Sequence, residues 1–177
     1  FRVNNGTCTS ASTPNVPIAD ASSTTWNGSS WSYGTPDASK NIIIDSSLGS
    51  PFAADLTGCA LTINTGVTAT VPSGVTLKIT NAVTTNGQLI FENNASLVQT
   101  TNVTNTGAIE YRRKSAAMKN FDYTYWSSPV TGQNIVALSP NTLADKYFRF
   151  SGSANDWIFD DGVMIPGVGY IIRVPKP

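Results

Sequence analysis

Apolar and polar residues alternate in short runs through the middle of the chain. Val67, Ala69 and Val71 alternate with threonines, and this run follows a small residue, Gly66. A period of two predicts β-strands with one buried face. The same phrase, a small residue followed by alternation, occurs at residues 66–71, 74–79, 87–91, 95–99 and 107–111.

The phrase returns at a nearly constant spacing. Gly66 to Gly87 is 21 positions, Gly74 to Ala95 is 21, and Gly87 to Gly107 is 20. Repeats near this length are typical of solenoids, in which each unit buries its face by stacking on the next. An antiparallel meander is the alternative, since short strands joined by tight turns also build sandwiches. Successive phrases start 8 and then 12–13 positions apart, so that each unit of ~21 residues would contain two strands in the same order, which favours the coil.

The sequence therefore predicts an all-β fold in three parts. Residues 1–23, rich in Ser, Thr, Asn and Pro, are expected to form an N-terminal arm or linker. Residues 24–114 are expected to form a capped, short, right-handed parallel β-helix-like stack of about three coils of ~20 residues. Residues 115–177 are expected to form a small antiparallel β unit. Further strands or hairpins are predicted at residues 24–36, 40–45, 61–63, 143–150, 155–162 and 169–174.

Composition excludes several kinds of partner and of chemistry. Lys and Arg (11) balance Asp and Glu (11), so no basic stripe predicts nucleic-acid binding. No apolar run approaches the ~20 residues that span a bilayer, so membrane insertion is not expected. The chain has no histidine, the commonest general base and transition-metal ligand. We therefore expect no catalytic residues.

The two glutamates do not suggest a glycosidase pair. Glu92 and Glu110 occupy positions of the alternating phrase opposite to the apolar ones, so they are expected to face solvent. Because the chain begins at Phe1 and ends in a linker-like segment, residues 174–177, we expect it to be a piece of a longer secreted protein.

An acidic cluster near the C-terminus has two interpretations. Asp156, Asp160 and Asp161 offer carboxylate oxygens, which calcium prefers, although their spacing does not match an EF-hand loop. The alternative is a β-turn, since the sequence Asp161-Gly162 is favoured there. Calcium is the one cofactor that the sequence leaves open.

Two cysteines lie far apart, at Cys8 and Cys59. In an oxidising compartment a disulfide between them would close a loop of about 50 residues and stabilise the fold by roughly 4 kcal/mol. The alternative is two separate thiols. A disulfide is the favoured interpretation, and it would pin the N-terminal arm to the start of the repeats.

Aromatic clusters flank the repeats on both sides. They are candidate ligand-binding residues, because exposed aromatic rings stack on sugars. The alternative is that they cap the ends of the stack, which would otherwise expose an apolar core and unpaired edges. Capping is favoured, because one cluster precedes the repeats and one follows them. The residues are Trp26, Trp31 and Tyr33, and Tyr123, Tyr125 and Trp126.

Several stretches of the chain carry a sequence resemblance that composition alone does not give. The sequence around Trp26 and Trp31 and the sequence Phe121-Asp-Tyr-Thr-Tyr-Trp126 resemble segments of large secreted proteins from Flavobacterium-type Bacteroidota. The resemblance covers roughly residues 24–174 and is carried by residues 25–45, 91–99, 118–130, 138–143 and 166–173.

This resemblance implies a location and a role. Such proteins are typically exported by the type IX secretion system and stay on the cell surface or are released, and some serve adhesion or gliding motility. The resemblance implies secretion machinery or other surface proteins as partners, and it supplies no catalytic motif. The leading hypothesis is a non-enzymatic structural or adhesin module. The alternatives are a carbohydrate-binding module that uses exposed aromatics, and an accessory domain of a polysaccharide-degrading enzyme.

Overall fold

The structure, a computed structural model, describes residues 22–175. The chain is almost entirely β, and its first part winds into stacked parallel coils, as the repeat spacing predicted. The elements are β1 (Ser23–Trp26), β2 (Asn41–Ile44), β3 (Leu56–Gly58), β4 (Leu61–Ile63), β5 (Thr68–Val71), β6 (Thr76–Ile79), β7 (Val83–Thr85), β8 (Gln88–Phe91), β9 (Ser96–Gln99), β10 (Ile109–Tyr111), β11 (Tyr123–Trp126), α1 (Ile135–Leu138), β12 (Tyr147–Ser151), β13 (Asp156–Phe159) and β14 (Tyr170–Arg173).

Three parallel sheets form the sides of the stack, in the orders β1-β2-β4-β7, β10-β8-β5 and β3-β6-β9. Each complete coil contributes one strand to each side, so a coil has three strands rather than the two that the repeat phrase suggested. Leu56 lies opposite Leu77, 21 positions on, and Leu89 lies opposite Ile109, 20 positions on. The stack has about four turns, against the three predicted, because its first strands lack the phrase.

Apolar side chains form columns inside the stack. Leu56, Leu77 and Leu97 follow one another up one side, and Phe91 lies under Tyr111 on another. The rings of Phe91 and Tyr111 are stacked, with centroids 4.9 Å apart and planes 7° apart. Each coil therefore buries its inner face against the coils above and below, which is the physical reason for the repeat.

Tight corners between the sides require glycine. Gly107 has φ of +83°, and a Cβ at this position would meet the carbonyl oxygen of Thr85 in the coil below. Gly66 has φ of +77° with open space around it. Glycine tolerates this left-handed backbone because it lacks a Cβ.

A four-stranded antiparallel sheet, β11-β14-β12-β13, follows the stack. Its inner face and α1 bury a second hydrophobic core that shares no residue with the core of the stack. Tyr147 lies at its centre, fully buried, and its hydroxyl donates to the backbone oxygen of Ser139 at 2.7 Å. Residues of the first core precede position 114, and residues of the second follow it.

Two predicted segments differ in detail from the structure. Residues 143–150 hold a strand only from Tyr147, because Leu143–Lys146 close a turn in which the Lys146 N–H donates to the Leu143 oxygen (3.0 Å). In residues 24–36, β1 pairs in parallel with β2, and the predicted hairpin is reduced to a single antiparallel bridge between Trp26 and Trp31. The strand predicted at 40–45 is β2.

No helix within residues 22–175 is long and apolar enough to cross a bilayer.

Candidate functional site

Two tryptophans lie at the first described coil of the stack. Trp26 lies in β1, the outermost of the described strands of its sheet, and is only 9% exposed. Its indole N–H donates to the backbone oxygen of Leu48 (2.9 Å), and the Trp31 ring packs against it with 5.3 Å between centroids. Tyr33 is 44% exposed. Trp26 and Trp31 therefore pack on the core of the stack at its first described coil, and their role as a cap stays a prediction.

The structure divides the second predicted cluster between two faces of one sheet. Tyr123 and Tyr125 point outward from β11 and are 40% and 78% exposed. Trp126, the next residue, points inward and packs against the second hydrophobic core. Successive side chains of a strand alternate between faces, so these three rings do not form one platform.

Tyr123 and Tyr125 instead belong to a larger group of rings. Strand register places Phe148 opposite Phe159, and Phe150 opposite Trp157, on the same outward side. Ile171 of the central strand β14 faces both Tyr125 and Phe148. We call this group the aromatic face: Tyr123, Tyr125, Phe148, Phe150, Trp157 and Phe159.

The rings of the aromatic face pack on one another at steep angles. Neighbouring centroids lie 5.3 Å apart for Phe150 and Trp157 and 6.0 Å apart for Tyr125 and Trp157. Interplanar angles in the group run from 49° to 87°. Two of the contacts, Phe148–Phe159 and Phe150–Trp157, are edge-on and the other two are tilted. Edge-on contacts between rings are favourable, so the rings form a cohesive but corrugated surface.

This surface is unusually apolar for one that water can reach. Phe159 is 52% exposed and Phe150 is 40% exposed, while the alternate residues Tyr147 and Tyr170 are fully buried beneath them. Exposed contiguous apolar patches mark sites of contact with another molecule, and aromatic side chains dominate the energy of such contacts. The aromatic face is therefore the candidate functional site.

One cation lies at the edge of the aromatic face. Arg173 of β14 is opposite Tyr123, so both side chains leave the sheet on the same side. Arg173 is only 8% exposed, and its guanidinium lies 4.4 Å from the centroid of the Phe121 ring. Phe121 has φ of 78°, an uncommon conformation for a bulky residue.

Arg173 has no ion-pair partner among the described residues. No carboxylate within residues 22–175 lies within 4.0 Å of Arg173, and its Nε is buried without a hydrogen-bond partner. Asp145 is held by Lys146 at 2.6 Å. That hydrogen bond is the main cause of the lowered pKa of Asp145, and the charge of Arg173 is a smaller one.

The three carboxylates of the predicted calcium site do not meet. Asp156 begins β13 and Asp160 follows its end, which separates them by about 13 Å of extended chain. Asp160 pairs with Arg149 (2.9 Å) and accepts the N–H of Gly162 (2.9 Å), and the Asp161 backbone oxygen accepts from the side chain of Asn134. The residues that the structure describes hold no group of three acidic, His or Cys side chains suited to a metal. The segment is a strand and a turn.

The glutamates also have structural partners. Arg112 lies between Glu92 (2.8 Å) and Glu110 (2.6 Å) on the outside of the last coils. The hydrogen bonds that Arg112 donates to Glu110, and secondly to Glu92, raise the pKa of Arg112 above its ordinary value. The three side chains form an ion-pair ladder on the solvent side, as the alternation predicted for the glutamates.

The predicted disulfide falls partly outside the described residues, because Cys8 precedes residue 22. Cys59 is half-buried, and its sulfur accepts a hydrogen bond from the Asn81 side chain at 3.2 Å. The pairing of Cys8 with Cys59 stays a prediction. The arm predicted for residues 1–23 lies almost wholly outside as well.

A cleft of about 460 Å³ separates the end of the stack from residues 129–133. Val83, Thr85, Leu97 and Ile109, the last members of the inner columns, line one side of it. Loop residues of the C-terminal unit thus lie over the second end of the stack, where the sequence predicted a cap of Tyr123, Tyr125 and Trp126.

Sequence reasoning missed four of the six rings of the aromatic face. Phe148, Phe150, Trp157 and Phe159 are separated in sequence from the Tyr123 cluster, and only the pairing of β11, β14, β12 and β13 unites them. A signal was present: aromatic residues occupy alternate positions in three of these four strands. Strand order is needed to read that signal as one surface.

The fold defines a class of protein, a short β-solenoid joined to an antiparallel sheet that presents aromatic rings. The chain belongs to the family described as a domain of unknown function, DUF8693, whose model matches residues 19–177. No curated protein and no solved structure matches the chain.

Proposed function

We propose that this chain is a non-enzymatic module of a larger extracellular or cell-surface protein, and that it adheres to its surroundings through the aromatic face. The observation that carries the proposal is the exposure of that face. Tyr125 is 78% exposed and Phe159 is 52% exposed, although burying such rings would stabilise the fold. Ring exposure of this kind is typical of contact surfaces.

The stack suits the role of a rigid spacer. Four turns at about 4.8 Å per turn give a height of roughly 20 Å. The sequence resemblance to proteins exported by type IX secretion supports a place on the outer surface or outside the cell, with secretion machinery or other surface proteins as partners. Adhesion and gliding motility are the processes in which such a module would act.

The second candidate is a carbohydrate-binding module, either alone or as an accessory domain of a polysaccharide-degrading enzyme. It is favoured by Tyr and Trp rings on the aromatic face, since both stack on sugars and carry a polar group. The platforms suggested by the sequence, around Trp26 and around Trp126, do not support it, because both tryptophans pack on cores.

An adhesion assay tests the proposal. Beads carrying the full chain are flowed over bacterial cells and over polysaccharide-coated glass, and their retention is counted. The double variant Tyr125→Ser/Phe159→Ser removes two exposed rings, so we expect retention to fall about tenfold or more, the effect of losing a contact hot spot. The matched control is Tyr33→Ser/Leu48→Ser, which removes exposed apolar side chains outside the aromatic face.

Circular dichroism would establish that each variant is folded. Equal retention of the wild type and the Tyr125→Ser/Phe159→Ser variant would contradict a role for the aromatic face. Retention on polysaccharide alone would favour the second candidate.

A further inference from the structure

Within its four strands the aromatic face carries one charge, and that charge is positive; just before β12, Lys146 lies opposite Arg173 and is paired with Asp145. Among the side chains that β11, β14, β12 and β13 place on this side of the sheet, the other members are aromatic or aliphatic, and Arg173 is the exception. The nearby acids have partners of their own: Asp145 binds Lys146, and the Asp122 carboxylate accepts the Lys119 N–H at 2.7 Å.

An almost buried guanidinium without an anion is costly. The Phe121 ring compensates in part, by a cation–π contact at 4.4 Å, and the Asp145 carboxylate, which is hydrogen-bonded to Lys146, adds a weaker attraction without an ion-pair contact. Phe121 holds that position with φ of 78°, a strained conformation for a phenylalanine. Unpaired charge and backbone strain at one place are typical of a site that is completed by a ligand.

We propose that the aromatic face and Arg173 together bind a single soluble chain of an acidic glycan, with the carboxylate of a hexuronate at the guanidinium of Arg173. This inference rests on the proposed role of the aromatic face as a contact surface. The planar guanidinium matches a carboxylate with two parallel N–H donors, and the neighbouring rings of Tyr123 and Tyr125 offer stacking surfaces for pyranose units.

The structure favours a glycan over an acidic peptide. An extended peptide gains affinity by pairing its backbone with an open strand edge. Arg173 lies in β14, a central strand whose backbone is already paired with β11 and β12. A ligand above this strand must be held by side chains, which is how ring stacking holds sugars.

The ring angles further restrict the form of the glycan. A crystalline polysaccharide presents a flat surface and needs coplanar rings, whereas Phe150 and Trp157 lie at 67° to one another. Each ring can instead meet one unit of a chain that bends in solution. We therefore expect binding to soluble polyuronates and none to crystalline cellulose or chitin.

The test compares a soluble polyuronate with the same polymer after chemical reduction of its carboxyl groups. Isothermal titration calorimetry with the full chain measures both. We expect about tenfold tighter binding to the acidic polymer, the effect of one charge-assisted hydrogen-bonded pair. Added salt should leave most of this difference in place, because a nearly buried ion pair is screened less than an exposed one.

Variants of the chain identify the residues that cause the preference for the acidic polymer. Arg173→Gln should abolish the preference for the acidic polymer and leave the weak binding of the reduced polymer, while Tyr125→Ala should weaken both. Lys78→Gln, which removes an exposed lysine from the stack, is the matched charge control and should behave as the wild type. Should Arg173→Gln fail to fold, the comparison of the two polymers on the wild type still tests whether the chain recognises the carboxylate.

Equal affinity for the two polymers would overturn the uronate inference and leave the proposed adhesive function standing. Tighter binding to polyglutamate than to the polyuronate would assign the site to an acidic peptide and overturn it too. Self-association in sedimentation that Tyr125→Ser abolishes would assign the aromatic face to a second copy of the chain. Adhesion of beads to cells without binding to either polymer would also contradict the uronate inference.

Discussion

Neighbouring aromatic residues of this chain have opposite environments. Tyr147 is fully buried, with its hydroxyl bonded to backbone oxygens of Ser139 (2.7 Å) and Thr142 (3.2 Å). Phe150, three positions on and on the other face of the same strand, is 40% exposed. The buried rings that carry a hydroxyl have partners for it, as burial of a polar group requires. The exposed rings form the aromatic face, the proposed contact surface.

Asp37 is an exposed carboxylate whose pKa is set by a neighbouring serine. The Ser39 hydroxyl (2.5 Å) and then the Ser39 backbone N–H (2.9 Å) donate to Asp37 and hold its pKa below the ordinary value of 3.8. A lowered pKa contributes stability above the ordinary value, which is lost as the pH falls through the lowered one.

We expect Ser39→Ala to raise the pKa of Asp37 toward its ordinary value. An NMR titration of the carboxyl carbons measures the change. Asp145 is the internal control, because its pKa is lowered mainly by Lys146 and should not move. An unchanged pKa at Asp37 would show that the hydroxyl of Ser39 is not its main partner.

At the scale of the element, each strand of the stack continues a column begun by the strand below. Ile44, Ile63 and Thr85 occupy equivalent positions of β2, β4 and β7. Thr85 is only 6% exposed, and its hydroxyl has no hydrogen-bond partner among the described residues. A polar group buried in this way costs free energy that an apolar group of the same shape avoids.

Replacing Thr85 by Val should therefore raise the free energy of unfolding, by about 1–2 kcal/mol. Thr70→Val, at an exposed position of β5, is the control and should change stability by less than about 0.5 kcal/mol. Urea unfolding measures both. A loss of stability in Thr85→Val would indicate that the hydroxyl has a partner, such as water in the adjoining cleft.

The strands that the sequence revealed are those with regular alternation. β5, β6 and β8–β10 follow the repeated phrase, and β2, β4 and β14 are short apolar runs, so both groups were predictable. β7 was missed, because Val83-Thr-Thr85 has one apolar residue among polar ones and is held by its neighbours in the sheet. The aromatic face was missed because adjacency of antiparallel strands is set by tertiary pairing, which spacing along the chain does not encode.

At the scale of the whole molecule, residues 22–175 form two separate hydrophobic cores. The core of the stack contains Phe91 and Leu77, and the core of the sheet unit contains Tyr170 and Ile135. Cooperative unfolding follows shared packing. Two cores without a common residue are expected to open as two units.

Phe91→Ala should reveal this division. Phe91 is fully buried, and its truncation is expected to cost about 3–5 kcal/mol. Hydrogen exchange followed by mass spectrometry should show faster exchange of amides in β2–β9 and unchanged exchange in β11–β14. Phe159→Ala, on the exposed face, is the control. Equally accelerated exchange in both units would show that they unfold as one.

The constant register of the stack has a consequence for how such a chain can change length. Leu61 and Val83 are equivalent positions on successive coils, so residues 61–82 are one complete layer. A duplicated copy of this layer would rest on the original layer, would meet the side chains of the next coil that the original meets now, and would move the aromatic face outward by about 4.8 Å. Evolution and protein engineering can therefore change the length of this molecule in fixed increments of one coil.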